Sequence, residues 1–235
     1  MSHAPAYPHD AIQPIADEVF AVRGSLLLNP LIRISRNMAI VRQDGELSLI
    51  NPLRLNDAGM AALQRLGRIR RIVSLGALHG IDDAWYRQQF QVETWARPGS
   101  RIYPPPPGHR LLDPTQPLPF AGARLFCFHG TQPESALLLD RGEGLLLTCD
   151  ALQHYGDYHQ HSAMARLVMP FIGFPKTTLV GPIWLKAVTP PGSSLRADFE
   201  RLLQWRFDSL LSAHGSLLAT GAHAAAEAAV RKAFA

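Results

Sequence analysis

Four apolar runs in this chain each end on a histidine or an aspartate. Arg70-Arg71-Ile72-Val73-Ser74-Leu75 leads to Ala77-Leu78-His79-Gly80-Ile81-Asp82-Asp83. Leu125-Phe126-Cys127-Phe128 stops at His129-Gly130, and Leu145-Leu146-Leu147-Thr148-Cys149 stops at Asp150-Ala151. Leu210-Leu211-Ser212-Ala213 stops at His214-Gly215. A short apolar run bounded by turn residues reads as a buried strand. An imidazole or carboxylate just past such a strand lies at a sheet edge, where loops assemble sites. Ends of this kind, carrying metal-competent side chains, predict one convergent site.

The rest of the pattern is mixed α and β. Val19-Phe20-Ala21-Val22 reads as a first strand. Ala39 to Arg42 and Leu47 to Ile50 flank Gln43-Asp44-Gly45-Glu46, and Asp-Gly between apolar runs is a strong hairpin signal. Asn56 is placed to cap a helix that runs to about Leu66, with Met60, Leu63 and Leu66 on one face and Gly67 as the stop. Asp82 to Phe90 reads as a short helix, with Asp82 as a possible cap. Residues 98–119 are rich in proline and read as an irregular connection. Strands are expected at Ala123 to Phe128, Ala136 to Leu139, Leu145 to Thr148 and Leu210 to Ser212. Residues 192–206 read as a helix capped by Ser193 or Ser194, and Ala222 to Phe234 as an Ala-rich closing helix.

The chain has 235 residues, 47% hydrophobic and 18% charged, enough for one large core. The expectation is a single domain over 1–235 with a loose segment at 1–17, where His3 and His9 lie. No apolar stretch is long enough to span a membrane, and the first residues lack the basic end and apolar core of a secretory signal. A cytoplasmic location is therefore expected. Cys127 and Cys149 lie inside apolar strands and read as buried thiols rather than a bridge. Lys+Arg 23 against Asp+Glu 19 gives a net charge of +4. The densest basic cluster is Arg65, Arg68, Arg70 and Arg71. Its place at a helix end explains it, and no aromatic residues interleave it for stacking on bases, so no nucleic-acid partner is expected.

The order of strand ends resembles the metallo-β-lactamase fold superfamily. Members carry His-x-His-x-Asp-His after a strand, then a strand-end His, a strand-end Asp and a late strand-end His. The resemblance covers roughly residues 18 to 220, and His129, Asp150 and His214 match it in order and context. In the first motif His79 is the only histidine, and Ala77, Ile81 and Ala84 fill places where a ligand would stand. Two alignments stay open. His79 is the first histidine with Asp83 as the motif aspartate, or it is the second with Asp82 replacing the final histidine.

The resemblance implies an α+β, four-layer αββα sandwich. It implies His79, Asp83, His129, Asp150 and His214 as metal ligands. Asp82, Asp83 and Asp150 are its catalytic candidates, Asp150 as the bridge. Imidazole and carboxylate suit zinc first, with iron or manganese as alternatives. With one His left in the first motif, about one tightly held ion is expected. The implied activity is hydrolysis of a small ester, thioester, lactone or phosphoester by metal-bound hydroxide. No Gly-x-Ser-x-Gly elbow competes with that reading. The alternative is a non-catalytic binding or assembly protein that keeps the fold without a competent binuclear site.

Each residue also has a plain structural reading. His129 and His214 can be strand-end histidines with satisfied rings, and Asp150 can cap a turn. His154, His159 and His161 follow Asp150 in a polar stretch that reads as surface loop, with His154 nearest the site. Residues 164–188 are apolar but broken by Pro170, Pro175 and Pro182. They read as core, as a lid, or as the interface of a homodimer.

Overall fold

The computed structural model describes residues 4–235. His3 lies outside them. The first half of the chain builds one sheet. Its elements are β1 (Gln13–Ala16), β2 (Val19–Asn29), β3 (Ile32–Gln43), β4 (Glu46–Ile50), α1 (Asp57–Leu66), β5 (Arg68–Ser74), α2 (Asp83–Phe90), β6 (Glu93–Ala96) and β7 (Arg110–Leu111). The strands lie side by side in chain order. Then come β8 (Ala123–Cys127), β9 (Ser135–Leu139), β10 (Leu145–Leu147), β11 (Leu152–His154), α3 (Ala163–Val168), β12 (Thr178–Val180), α4 (Pro182–Val188), α5 (Arg196–Leu202), β13 (Ser209–Leu211) and α6 (Ala222–Ala233). The second sheet has the order β13-β10-β9-β8, and β11 pairs with β12 in a small ribbon.

Side-chain alternation along each strand sorts the core into layers. Ala39, Val41, Ile50 and Val73 of the first sheet meet Leu137, Leu139, Leu145, Leu147 and Leu211 of the second. Their neighbours Met38, Ile40, Leu49 and Ile72 point the other way, onto Leu63 of α1 and Tyr86 of α2. Ala136, Leu138, Leu146 and Leu210 face outward from the second sheet onto Trp184, Phe199, Leu202, Ala226 and Val230 of α4, α5 and α6. The result is the four-layer αββα sandwich.

Local chemistry explains several boundaries. Asp44 (φ 54) and Gly45 (φ 75) both take left-handed backbone, the requirement of a tight hairpin turn, and Gln43 pairs with Glu46 across it. The Asn56 side chain accepts the Gly59 N–H at 2.9 Å, capping α1. The helix expected over 192–206 is only Arg196–Leu202; Leu195 is at its N-cap, and the Ser194 hydroxyl accepts the Arg196 N–H at 3.1 Å. Part of the segment 1–17 is paired. β1 pairs with β2, the His9 ring accepts the Asn56 N–H at 3.0 Å, and Asp10 N–H donates to Arg23. Backbone pairing on the edge of the first sheet fixes it. The basic cluster is partly neutralised by Glu46 and Glu93, which pair with Arg70 and Arg71. Both cysteines are free thiols.

Candidate metal centre

Strand ends from both sheets bring His79, Asp150 and His214 together. Among the described residues they are the one group of three donors whose ligand atoms all lie within 4.8 Å of one another. His79 Nε2 is 3.2 Å from one Asp150 oxygen, and His214 Nε2 is 3.3 Å from the other. The two rings meet edge to face with centroids 4.9 Å apart.

Each member is held from behind. Asp150 follows β10, and its N–H and that of Ala151 both donate to the buried Glu134 carboxyl, at 2.7 and 2.8 Å. Gln153 Nε2 donates to the Asp150 carbonyl at 3.0 Å. His214 follows β13 in a tight turn where Gly215 (φ 82) leaves no room for a side chain against the His154 carbonyl. Its Nδ1 lies 2.7 Å from the Ser35 carbonyl. The Ser35 hydroxyl accepts the Gly215 N–H, and Asn37 Nδ2 donates to the Ser212 carbonyl. β3 thus props the far end of the second sheet through the buried polar pair Ser35 and Asn37, while Arg36 between them faces the other way.

A carbonyl is an acceptor only, so His214 Nδ1 carries the proton it gives to Ser35. In the neutral ring Nε2 is then a bare lone pair, and it faces a carboxylate oxygen. That pairing needs a cation between them, a proton or a metal ion. A ligating histidine is usually oriented in this way, by its other nitrogen donating to a carbonyl. Burial opposes ionising Asp150, but the adjacent imidazoles outweigh it and hold its carboxyl below the usual range. Burial pushes His79 down, with Asp150 only partly opposing it, which favours the neutral, ligating form. Burial, reinforced by the Asp150 charge, pushes Glu134 well up. Two imidazoles and one carboxylate therefore fit a divalent ion.

The remaining sequence candidates lie elsewhere. His129 is not part of the group. Its ring is 72% exposed and bonds Asp198 at 2.9 Å, while its N–H donates to the same carboxylate. Arg201 closes that cluster at 2.8 Å from Asp198. The expectation that His129 converges with Asp150 and His214 is corrected accordingly: a carboxylate on α5 captures it.

Asp82 stands at the N-cap of α2, but its side chain makes no capping hydrogen bond and does not reach the group. It forms a buried ion pair with Arg36 at 2.9 Å, and Arg36 also donates to the Pro52 carbonyl. Asp83 accepts from Ser74 Oγ at 2.6 Å, and burial pushes its carboxyl up to about 6. It too stands outside the three-donor group, so the first motif contributes His79 alone.

His154 bonds Thr178 at 2.8 Å, and His159 bonds Asp10 on the surface at 2.9 Å. His161 is buried rather than on a surface loop, with burial lowering its ring to about 4. Ser35, Arg36, Asn37, Gln153, Glu134 and Asp198 are the supporting residues that sequence reasoning missed. Three polar residues beside the apolar Met38-Ala39-Ile40 carried the available signal for the first three.

A cavity of about 310 Å³ opens over His79, Asp150 and His214. Leu26, Ile34, Met169, Phe174 and Ile183 line it, with Arg36 and Gln153. A smaller one of about 170 Å³, lined by Ser74, Asp83, Arg87 and Arg97, shares His79, Gly80 and Tyr103 with it. Residues 164–188 contribute buried core (Met169, Phe174, Val180, Trp184), cavity wall, and exposed surface (Leu167, Phe171). No helix among the described residues is long and apolar enough to cross a membrane.

The architecture matches solved structures across nearly the whole chain. The metallo-β-lactamase FIM-1 from Pseudomonas aeruginosa, in its mono-zinc form, superposes with a TM-score of 0.63 at 14% identity, over 97% of this chain and 98% of that one. A metallo-β-lactamase from Hirschia baltica gives 0.59 at 13% identity, over 95% and 98%. One from Erythrobacter litoralis gives 0.56 at 14%, over 95% and 91%. No family model matches the chain, and the comparison with curated proteins found no match. The protein has the metallo-β-lactamase fold in a divergent sequence.

Proposed function

We propose that this protein is a metal-dependent hydrolase of a small ester, thioester, lactone or phosphoester. One observation carries the reading. His214, with Nδ1 committed to Ser35, aims a bare Nε2 at a carboxylate that a second imidazole also faces. His79, Asp150 and His214 would hold the ion, zinc first and iron or manganese as alternatives, and three protein ligands are the number that leaves a catalytic site open. When bound, such an ion lowers the pKa of water and polarises the oxygen under attack.

The protein's own groups divide the remaining work. Asp82 is committed to Arg36 and Asp83 faces the smaller cavity, so Asp150 is the carboxylate on the wall of the larger one. It is placed to accept a hydrogen bond from the attacking water. In an ester, the water oxygen bonds to the acyl carbon and the acyl–oxygen bond breaks. One water proton goes to the leaving alkoxide and the other to solvent. Burial pushes the Cys127 and Cys149 thiols up, which disfavours the thiolate that a cysteine nucleophile needs.

Elemental analysis of protein purified without chelator tests the reading, with an ester and phosphoester panel before and after chelation. The expected result is about one ion per chain, with turnover lost on chelation and restored by metal. Turnover that survives complete metal removal contradicts it. The diversion of His129 to Asp198 favours a second reading, a binding protein on a hydrolase fold. Protein that holds no metal and takes none up supports that one. Pairing of two copies through exposed residues of 164–188 belongs to the same proposal and is checked by light scattering.

A further inference from the structure

The larger cavity is unusual in how little polar recognition it offers. Every polar side chain that borders it outside the three donors, Tyr103 aside, is already committed. Arg36 is spent on Asp82 and the Pro52 carbonyl. Gln153 donates to Asp150 and accepts from the Tyr155 hydroxyl at 2.9 Å. Apart from an ion held by the three donors, no uncommitted cationic side chain is left on its wall for an anionic substrate. The rest of the wall is aliphatic or aromatic, with Ile34, Met169, Phe174 and Ile183 among its members, and Leu28 and Ile172 half exposed at its border. Ligands in such a space are selected by expulsion of water rather than by hydrogen bonds.

We propose that the substrate is an ester, thioester or lactone whose acyl group is a straight, uncharged hydrocarbon chain. The cavity holds the chain, and the carbonyl lies against His79, Asp150 and His214. This rests on the hydrolase reading above and narrows it. A methylene is close in size to a water molecule's share of liquid, about 30 Å³, so the cavity of about 310 Å³ takes on the order of ten carbons. Each added methylene strengthens binding about four-fold while the cavity is filling, and the gain stops once it is full.

The test separates the chain from the chemistry. Straight-chain alcohols of increasing length displace an uncharged fluorophore, 1-aminoanthracene, from chelator-treated protein. Phenyl esters of the matching acyl chains are then offered to the zinc-loaded protein. The expected result is displacement that improves about four-fold per methylene and then levels off, with kcat/KM following the same slope. Ile183→Glu, at an exposed position on the cavity wall, should weaken the longer alcohols at least ten-fold. Phe171→Glu, exposed and outside the cavity, should not change them. Displacement with no dependence on chain length overturns the proposal. So does sensitivity to Phe171→Glu without sensitivity to Ile183→Glu, because the fluorophore then sits on the surface. A chain-length slope without ester turnover upholds the cavity's ligand class and overturns the hydrolase reading instead.

Discussion

His129 and His214 have the same sequence signature, an apolar strand followed by His-Gly, yet they do different work. His214 is only 12% exposed, tied by Nδ1 to Ser35 and facing Asp150 across from His79. His129 is mostly exposed and held by Asp198 and Arg201 of α5, a clamp between the loop after β8 and a surface helix. What each strand end meets decides the outcome. The end of β13 abuts Ser35 and Asn37 of β3, whereas the end of β8 meets a carboxylate one layer further out. A metal centre needs several donors converging in a buried place, and only the first end offers that among the described residues.

The comparison predicts that support is costlier to remove at the buried end. Arg36→Ala leaves Asp82 buried and uncompensated, which should cost about 3–5 kcal/mol in denaturant titrations. A loss below 1 kcal/mol would show that the pair is not buried as described.

Asp83 sharpens the comparison through pH. Its folded carboxyl is at about 6 against an ordinary 3.8, so its contribution to stability is fully present below about pH 4 and is lost as pH rises through 6. That difference corresponds to roughly 3 kcal/mol. Asp83→Asn should therefore gain about that much relative to the parent between pH 4 and pH 7. An unchanged difference between the two proteins would place the carboxylate in a wetter setting.

At the exposed end the effects shrink. Asp198→Ala leaves the His129 N–H and Arg201 without their acceptor and should cost about 1–3 kcal/mol, with metal binding unchanged. His129→Ala should cost less than about 1 kcal/mol. A metal-affinity loss in either variant would break the distinction between the two ends.

Much of this was legible in the residues. Alternation within Leu137-Leu138-Leu139 and Leu145-Leu146-Leu147 carries the two-sided burial of the second sheet. The Asp44-Gly45 turn and the Asn56 cap follow from local chemistry. His79, Asp150 and His214 stood out because each interrupts an apolar run. The illegible parts depend on distant partners. Asp198 is 69 positions from His129, and nothing local marks it as the group that captures that ring. Arg36 lies ahead of the strand expected from Ala39, yet β3 begins at Ile32 and buries Ser35, Arg36 and Asn37. The strand at Gln13–Ala16 comes from edge pairing with β2 rather than from its own propensity.

The central claim is that His79, Asp150 and His214 hold the metal and His129 does not. Calorimetric titration of zinc into chelator-stripped wild type, His79→Ala, His214→Ala and His129→Ala tests it directly. The account predicts about one ion per wild-type chain. It predicts an affinity loss of at least about 100-fold for His79→Ala and His214→Ala, since losing even an outer partner costs up to that much. His129→Ala should bind as the wild type does. An equal loss in His129→Ala, or no zinc uptake by the wild type, would contradict it.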